Sequence, residues 1–155
     1  MHLNKILILI LALMIALTGF YCTKDPTESE STDFTGTWTA SLGTAGTKME
    51  FDASEINENF KADFLNIGAS FTLAIQGLRY SLLWIIDPTN DPTTGTGSLD
   101  ISDKRITLTS DDAEEDILSF DYTRDGSFVT LKTSDVYYPG TEIPAKLTII
   151  MKKID

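Results

Sequence analysis

The chain has one cysteine, Cys22, and one histidine, His2, in 155 residues. A lone cysteine has no intrachain partner, so no disulfide can staple the fold. A lone histidine beside the N-terminus excludes histidine metal clusters and leaves serine or cysteine nucleophiles without their commonest base. Positive charge is also scarce: 12 Lys and Arg face 23 Asp and Glu, a formal net charge of −11. Such a surface repels a phosphate backbone, and no basic stripe with interleaved aromatics offsets it, so nucleic acid is not expected as a partner. The carboxylates carry little pattern of their own. "DDAEED" (111–116) and "DPTND" (87–91) lack the D-x-[DN]-x-[DN]-G spacing of a calcium loop and read as solvated turns. No metal, no cofactor and no enzymatic activity are therefore expected.

Long apolar runs are missing too, with one exception. Ile6 to Leu17 is unbroken, with Lys5 before it and Thr18 and Gly19 after it. That is the layout of a secretory signal, too short to span a bilayer comfortably. Cys22 sits just beyond, on the seam between this run and the polar "TKDPTESESTD". The segment resembles a bacterial lipoprotein signal, in which the cysteine is lipidated and becomes the first residue of the mature chain. The resemblance implies a signal peptide over 1–22, a flexible polar tether over 23–33, and a domain over 34–155 held in the bacterial cell envelope by a lipid anchor in a membrane. Ordinary cleavage near Ala16 to Gly19, leaving a secreted or periplasmic protein, is the alternative.

Within 34–155 the dominant signal is apolar alternation at period two, the signature of strands with one buried face. Trp38/Ala40/Leu42, Met49/Phe51, Phe71/Leu73/Ile75 and Tyr80/Leu82/Trp84/Ile86 alternate with polar neighbours. So do Leu99/Ile101, Ile106/Leu108, Leu118/Phe120/Tyr122, Val129/Leu131 and Leu147/Ile149/Met151. Turn signals separate them: "GTAG" at 43–46, "QG" at 76–77, "SDK" at 102–104 and "RDG" at 124–126. One segment, 55–67, fits either a further strand through Ile56, Phe60, Ala62 and Phe64 or a short helix through Ile56, Phe60, Phe64 and Ile67, with the strand favoured. The expected fold is all-β, an antiparallel up-and-down meander of about 8 to 10 strands. With no helical layer to cover its apolar face, the sheet closes into a small barrel or, alternatively, folds over as a β-sandwich.

The opening of the domain, "DFTGTW" (33–38), resembles the G-x-W motif of lipocalin-like proteins, here Gly36-Thr37-Trp38. In that family the tryptophan packs across the closed end of the barrel beneath a basic residue late in the last strand. Lys152 and Lys153 stand at the matching place. The resemblance implies a compact lipocalin-like domain of the kind carried by bacterial lipoproteins.

The alternation places no charged residue on the inner face, so an interior ligand would be small and hydrophobic. Phe71, Tyr80, Leu82, Trp84, Phe120, Tyr122 and Leu131 are the candidate lining residues, although side chains of this size can also fill a small barrel completely. Two long connections mark a mouth: "DPTNDPTTGTG" (87–97) and "SDVYYPGTEIPA" (134–145), the second carrying Val136, Tyr137 and Tyr138 as candidate loop contacts. Two functions follow. One is a monomeric, anchored barrel that binds a small hydrophobic ligand; the other is a solid-cored lipoprotein that meets a protein partner through its loops.

Overall fold

The computed structural model describes residues 34–102, 104–112 and 117–155. The signal segment, Cys22 and the tether lie outside the described residues. The alternating segments form β1 (Gly36–Ser41), β2 (Lys48–Asp52), β3 (Lys61–Asp63), β4 (Ser70–Gln76), β5 (Arg79–Ile85), β6 (Thr93–Ser102), β7 (Arg105–Ser110), β8 (Ile117–Asp125), β9 (Phe128–Tyr137) and β10 (Pro144–Lys153). A 3₁₀ helix, Phe64–Ile67, sits between β3 and β4.

β4 to β10 pair in sequence order, each antiparallel to the next. β1 pairs β4 along its whole length and meets the end of β10 through Trp38↔Lys153 and Thr39↔Lys152. That last pairing closes the sheet into an antiparallel barrel. β2 and β3 stand outside the strict meander. β2 runs alongside the first half of β10, from Lys146↔Asp52 to Ile150↔Lys48, and β3 pairs β2. Both β1 and β2 are antiparallel to β10, so they point the same way and cannot form a hairpin with each other. The intervening turn makes this possible: the Thr47 hydroxyl donates to Ser41 O (3.0 Å) and Thr44 O (2.7 Å), leading the chain out and back onto the same neighbour.

Inward-facing residues of every strand of the ring form one core, with Trp38, Phe71, Leu108, Leu131, Leu147 and Ile149 fully buried. Leu42 departs from the expected face. It is 67% exposed, because β1 ends at Ser41 and the alternation ends with it. Segment 55–67 is partly each of its two readings: a tight turn, the three-residue β3, then the 3₁₀ helix. Asp63 caps that helix by accepting from Leu65 N (3.1 Å) and also from Met49 N of β2 (3.1 Å). Gly68 ends it at φ 93°, a left-handed conformation that favours glycine. Its side chains Phe64 and Leu65 are buried and extend the core.

The barrel has two unlike ends. The β4–β5, β6–β7 and β8–β9 hairpins turn through Gly77, Lys104 and Gly126, all at positive φ (60°, 66° and 57°), and gather beside the start of β1 and the end of β10. The longer connections 86–92 and 138–143 gather at the opposite end.

Candidate binding cleft

At the hairpin end, Trp38 is completely buried and its Nε1 donates to Phe34 O at 2.8 Å. Phe34 and Tyr122 meet edge to face beside it, with centroids 5.0 Å apart. Two cations cover the indole: Lys153 Nζ lies 5.8 Å from the ring centroid and the Arg124 guanidinium 5.5 Å. Both arrive by simple alternation. Lys153 is two residues beyond inward Met151, and Arg124 two beyond Tyr122, so each strand delivers a charge where its apolar run ends. Arg124 corrects the expectation of an inner face without charge. Lys152 points the other way and lies over Phe128, 5.8 Å from its centroid. Asp155 completes the end, with Oδ2 accepting from the Thr37 hydroxyl at 2.8 Å and Oδ1 from the Thr37 amide. The amide bond first, then the hydroxyl bond, hold the Asp155 carboxyl below its usual range.

The opposite end is open. A cleft of about 460 Å³ is lined by Phe64 and Ile67 of the 3₁₀ helix, by Trp84, Ile86, Asp87 and Asn90, and by Pro139 and Gly140. A second, of about 310 Å³, runs along the wall past Tyr80, Leu82, Trp84, Gly95, Ser110, Ile117 and Leu118. The two share Trp84, Ile86 and Thr93. Each lies in the size range of small-molecule sites, about 300 to 1,000 Å³.

Strand lengths explain the second cleft. β7 stops at Ser110, opposite Gly97, while β6 continues to Thr93 alongside β5. Among the described residues the wall is therefore one strand short beyond Gly97. Two glycines on the inward face of β6 then act oppositely. A Cβ at Gly97 would lie 1.9 Å from Thr109 O and 2.7 Å from the Tyr80 ring, so the absence of a side chain there lets strand and tyrosine pack. A Cβ at Gly95 would meet nothing within 4 Å. That missing side chain is open space in the cleft.

Trp84 lines both clefts and meets Phe71 edge to face at 5.5 Å. Its Nε1 is buried and has no acceptor among the described residues. At the rim, Asp87 Oδ1 accepts from the Thr89 hydroxyl (2.7 Å) and amide (2.8 Å), which lower its pKa and keep it ionised at neutral pH. On the outer face of the short wall, Arg79 pairs with Asp111, which also accepts from the Thr96 hydroxyl at 3.3 Å.

Of the candidate lining residues, Tyr80, Leu82 and Trp84 line the wall cleft. Phe71, Phe120 and Leu131 are buried in the packed core, and Tyr122 belongs with Phe34 at the hairpin end. The expected mouth loops are shorter than the sequence suggests. Residues 93–97 already belong to β6, and Val136 and Tyr137 belong to β9. Tyr138 alone of the three follows the strand, and it packs onto Phe60, Phe64 and Phe51 at 5.0, 5.7 and 6.4 Å instead of facing solvent freely. Gly95, Ile86, Ile117 and Leu118 are cleft residues that sequence reasoning did not single out as lining, and the 3₁₀ helix adds Phe64 and Ile67.

Among the described residues no group of His, Cys, Asp and Glu is arranged to hold a metal ion, and no helix is long and apolar enough to cross a membrane. Comparison with known protein families, with characterised proteins and with solved structures finds no match to the chain.

Proposed function

We propose that the chain is a bacterial envelope lipoprotein, anchored through Cys22, whose lipocalin-like barrel binds a small hydrophobic molecule at its open end. The observation that carries this reading is the cleft beside Trp84, where a strand stops early and Gly95 leaves its volume unfilled. A barrel serving only as a rigid scaffold gains from filling that space, because voids forfeit dispersion contacts. The space around Trp38 in this same barrel is filled. The resemblance of residues 1–22 to a lipoprotein signal supports an envelope location, where hydrophobic small molecules need a carrier or a shield.

Native mass spectrometry of the full chain isolated from membranes tests the binding role: a co-purifying small molecule is expected, and it is lost in Gly95→Leu. A chain that carries nothing, and whose Gly95→Leu variant behaves identically, removes the reading. A second reading, docking of a protein partner at the same end, is favoured by the exposure of Ile67 (60%), Ile117 (60%) and Tyr137 (63%). It predicts that Tyr137→Ser abolishes partner capture while leaving the cleft unchanged.

A further inference from the structure

We infer that the molecule held at the open end is an amphipathic cation, an apolar body carrying an ammonium or comparable positive group. The inference deepens the binding reading above and rests on it: it names the charge that the larger cleft selects.

Three observations carry it. The first is how the lining is divided. Phe64 and Ile67 of the 3₁₀ helix, Trp84 of β5, Ile86 and Pro139 give the cleft of about 460 Å³ its apolar surface. Asp87, Asn90 and Asp91 all come from one connection, 86–92, and give it acceptors and negative charge. An occupant therefore finds contact for a hydrocarbon body and a place for a polar group within the same cleft. Carboxylates on a loop are ordinarily solvated surface; these two differ in having apolar volume beside them.

The second observation is missing countercharge. Asp87 Oδ1 accepts from the Thr89 hydroxyl and amide, and Oδ2 accepts only from Asn90 Nδ2 at a long 3.4 Å; all three donors are neutral. The ion pairs among the described residues engage Lys48, Lys61, Arg79, Arg105 and Lys146, each with a carboxylate other than Asp87 or Asp91. No Lys or Arg lines the cleft.

The third is the field of the whole chain. With 23 acidic residues against 12 Lys and Arg, it draws cations toward the surface and repels anions. A fatty-acid anion would enter this cleft against charge of its own sign, and a neutral hydrophobe would leave both carboxylates unused. A cation with an apolar body uses both halves of the lining.

The test uses three water-soluble probes of matched size: phenethylamine, a cation at neutral pH; phenethyl alcohol, which is uncharged; and hydrocinnamate, an anion. Each is titrated at low salt against the full chain in phosphatidylcholine nanodiscs, with empty nanodiscs as the blank. Phenethylamine is expected to bind about three- to tenfold more tightly than phenethyl alcohol, the worth of one or two exposed ion pairs, and hydrocinnamate to bind most weakly. Asp87→Asn keeps the oxygen that accepts from Thr89 and removes only the charge. Combined with Asp91→Asn, it should bring phenethylamine down to the affinity of phenethyl alcohol and leave the alcohol unaffected. Asp125→Asn, the same loss of charge at the hairpin end, should leave the preference intact.

If phenethylamine and phenethyl alcohol bind equally and the paired Asn variant alters neither, the cation inference is wrong and the binding reading survives. The inference is also overturned if Asp125→Asn erases the preference as fully as the cleft variant does, because the preference then belongs to net charge and not to the cleft. Hydrocinnamate binding as tightly as phenethylamine has the same consequence. If no probe binds above the blank at millimolar concentration, the binding reading itself falls.

Discussion

The two tryptophans of this barrel occupy opposite ends and opposite circumstances. Trp38 is sealed: its donor is bonded, the Phe34 ring packs beside it, and two cations lie over its face. Trp84 is half-buried, its donor lacks an acceptor among the described residues, and empty space adjoins it. The hairpin end uses redundant contacts to define one geometry, so its residues have a structural purpose. The open end leaves a polar group unsatisfied and a void unfilled. Local departures of that kind are expected where a protein gives up stability for function.

The largest expected effect comes from breaking the sealed end. Trp38→Ala should cost about 3 to 5 kcal/mol in chemical denaturation, the usual range for emptying a buried tryptophan site. A loss below about 1 kcal/mol would show that the sealing contacts carry little. Next come the two glycines of β6. Gly97→Ala should destabilise by about 1 to 3 kcal/mol, because the new methyl group meets backbone that cannot yield. Gly95→Ala, two residues away on the same face, should be neutral within about 0.5 kcal/mol. Equal effects would mean the β6 wall is not divided at Gly97 as described.

Removing only the indole N–H is a finer test. Trp84→Phe should leave stability unchanged or raise it by about 1 kcal/mol, since it deletes an unsatisfied donor along with some packing. A loss above about 2 kcal/mol, more than the trimmed packing against Phe71 accounts for, would mean that the donor already has a partner.

The smallest effect is electrostatic and belongs to the sealed end. Asp155 has a pKa lowered by its bonds to Thr37, so the folded state binds fewer protons than the unfolded chain just below the ordinary carboxylate range. The stabilisation it gives is then fully present above about pH 4 and is lost as pH falls through the lowered folded value. Asp155→Asn should therefore shift the urea midpoint by a constant small amount from pH 7 to 5, and the gap should close in acid. A gap that persists unchanged in strong acid would assign the effect to something other than ionisation.

Much of the sealed end was legible in the sequence, and much of the open end was not. Trp38, the inward residues of β4, β5 and β7–β10, and the hairpins at Gly77 and Gly126 were all readable, because alternation and turn chemistry are local signals. The lack of any second layer leaves a closed ring or a sandwich, and the structure has the ring. The start of β6 was invisible for a plain reason: "TTGTG" has no apolar residue, so a strand there has no period to detect. The sequence reads there as loop, which hides the empty space at Gly95.

Val136 and Tyr137 were misplaced for a related reason. β9 is regular in its first half, but its pairing with β10 slips between Ala145 and Leu147, which breaks the alternation just where the strand goes on. Arg124 could have been found, since it continues the Leu118/Phe120/Tyr122 face by one more step. Hydropathy alone hides it, because alternation is usually traced only through apolar residues.

The pairing of β1 with β10 also sets an order of events. Thr37 and Asp155, bonded to each other across the seam, are 118 residues apart in sequence. The six hairpin steps from β4 to β10 bring together strands that are neighbours in the chain and can form one after another as it lengthens. The ring cannot close before β10 is present, and until then the sheet shows its apolar face to the surroundings. Non-local closure of this kind is slow and leaves intermediates prone to aggregate. The seam is therefore the longest-range pairing in the barrel, and a chain that lacks its last strand cannot complete the ring.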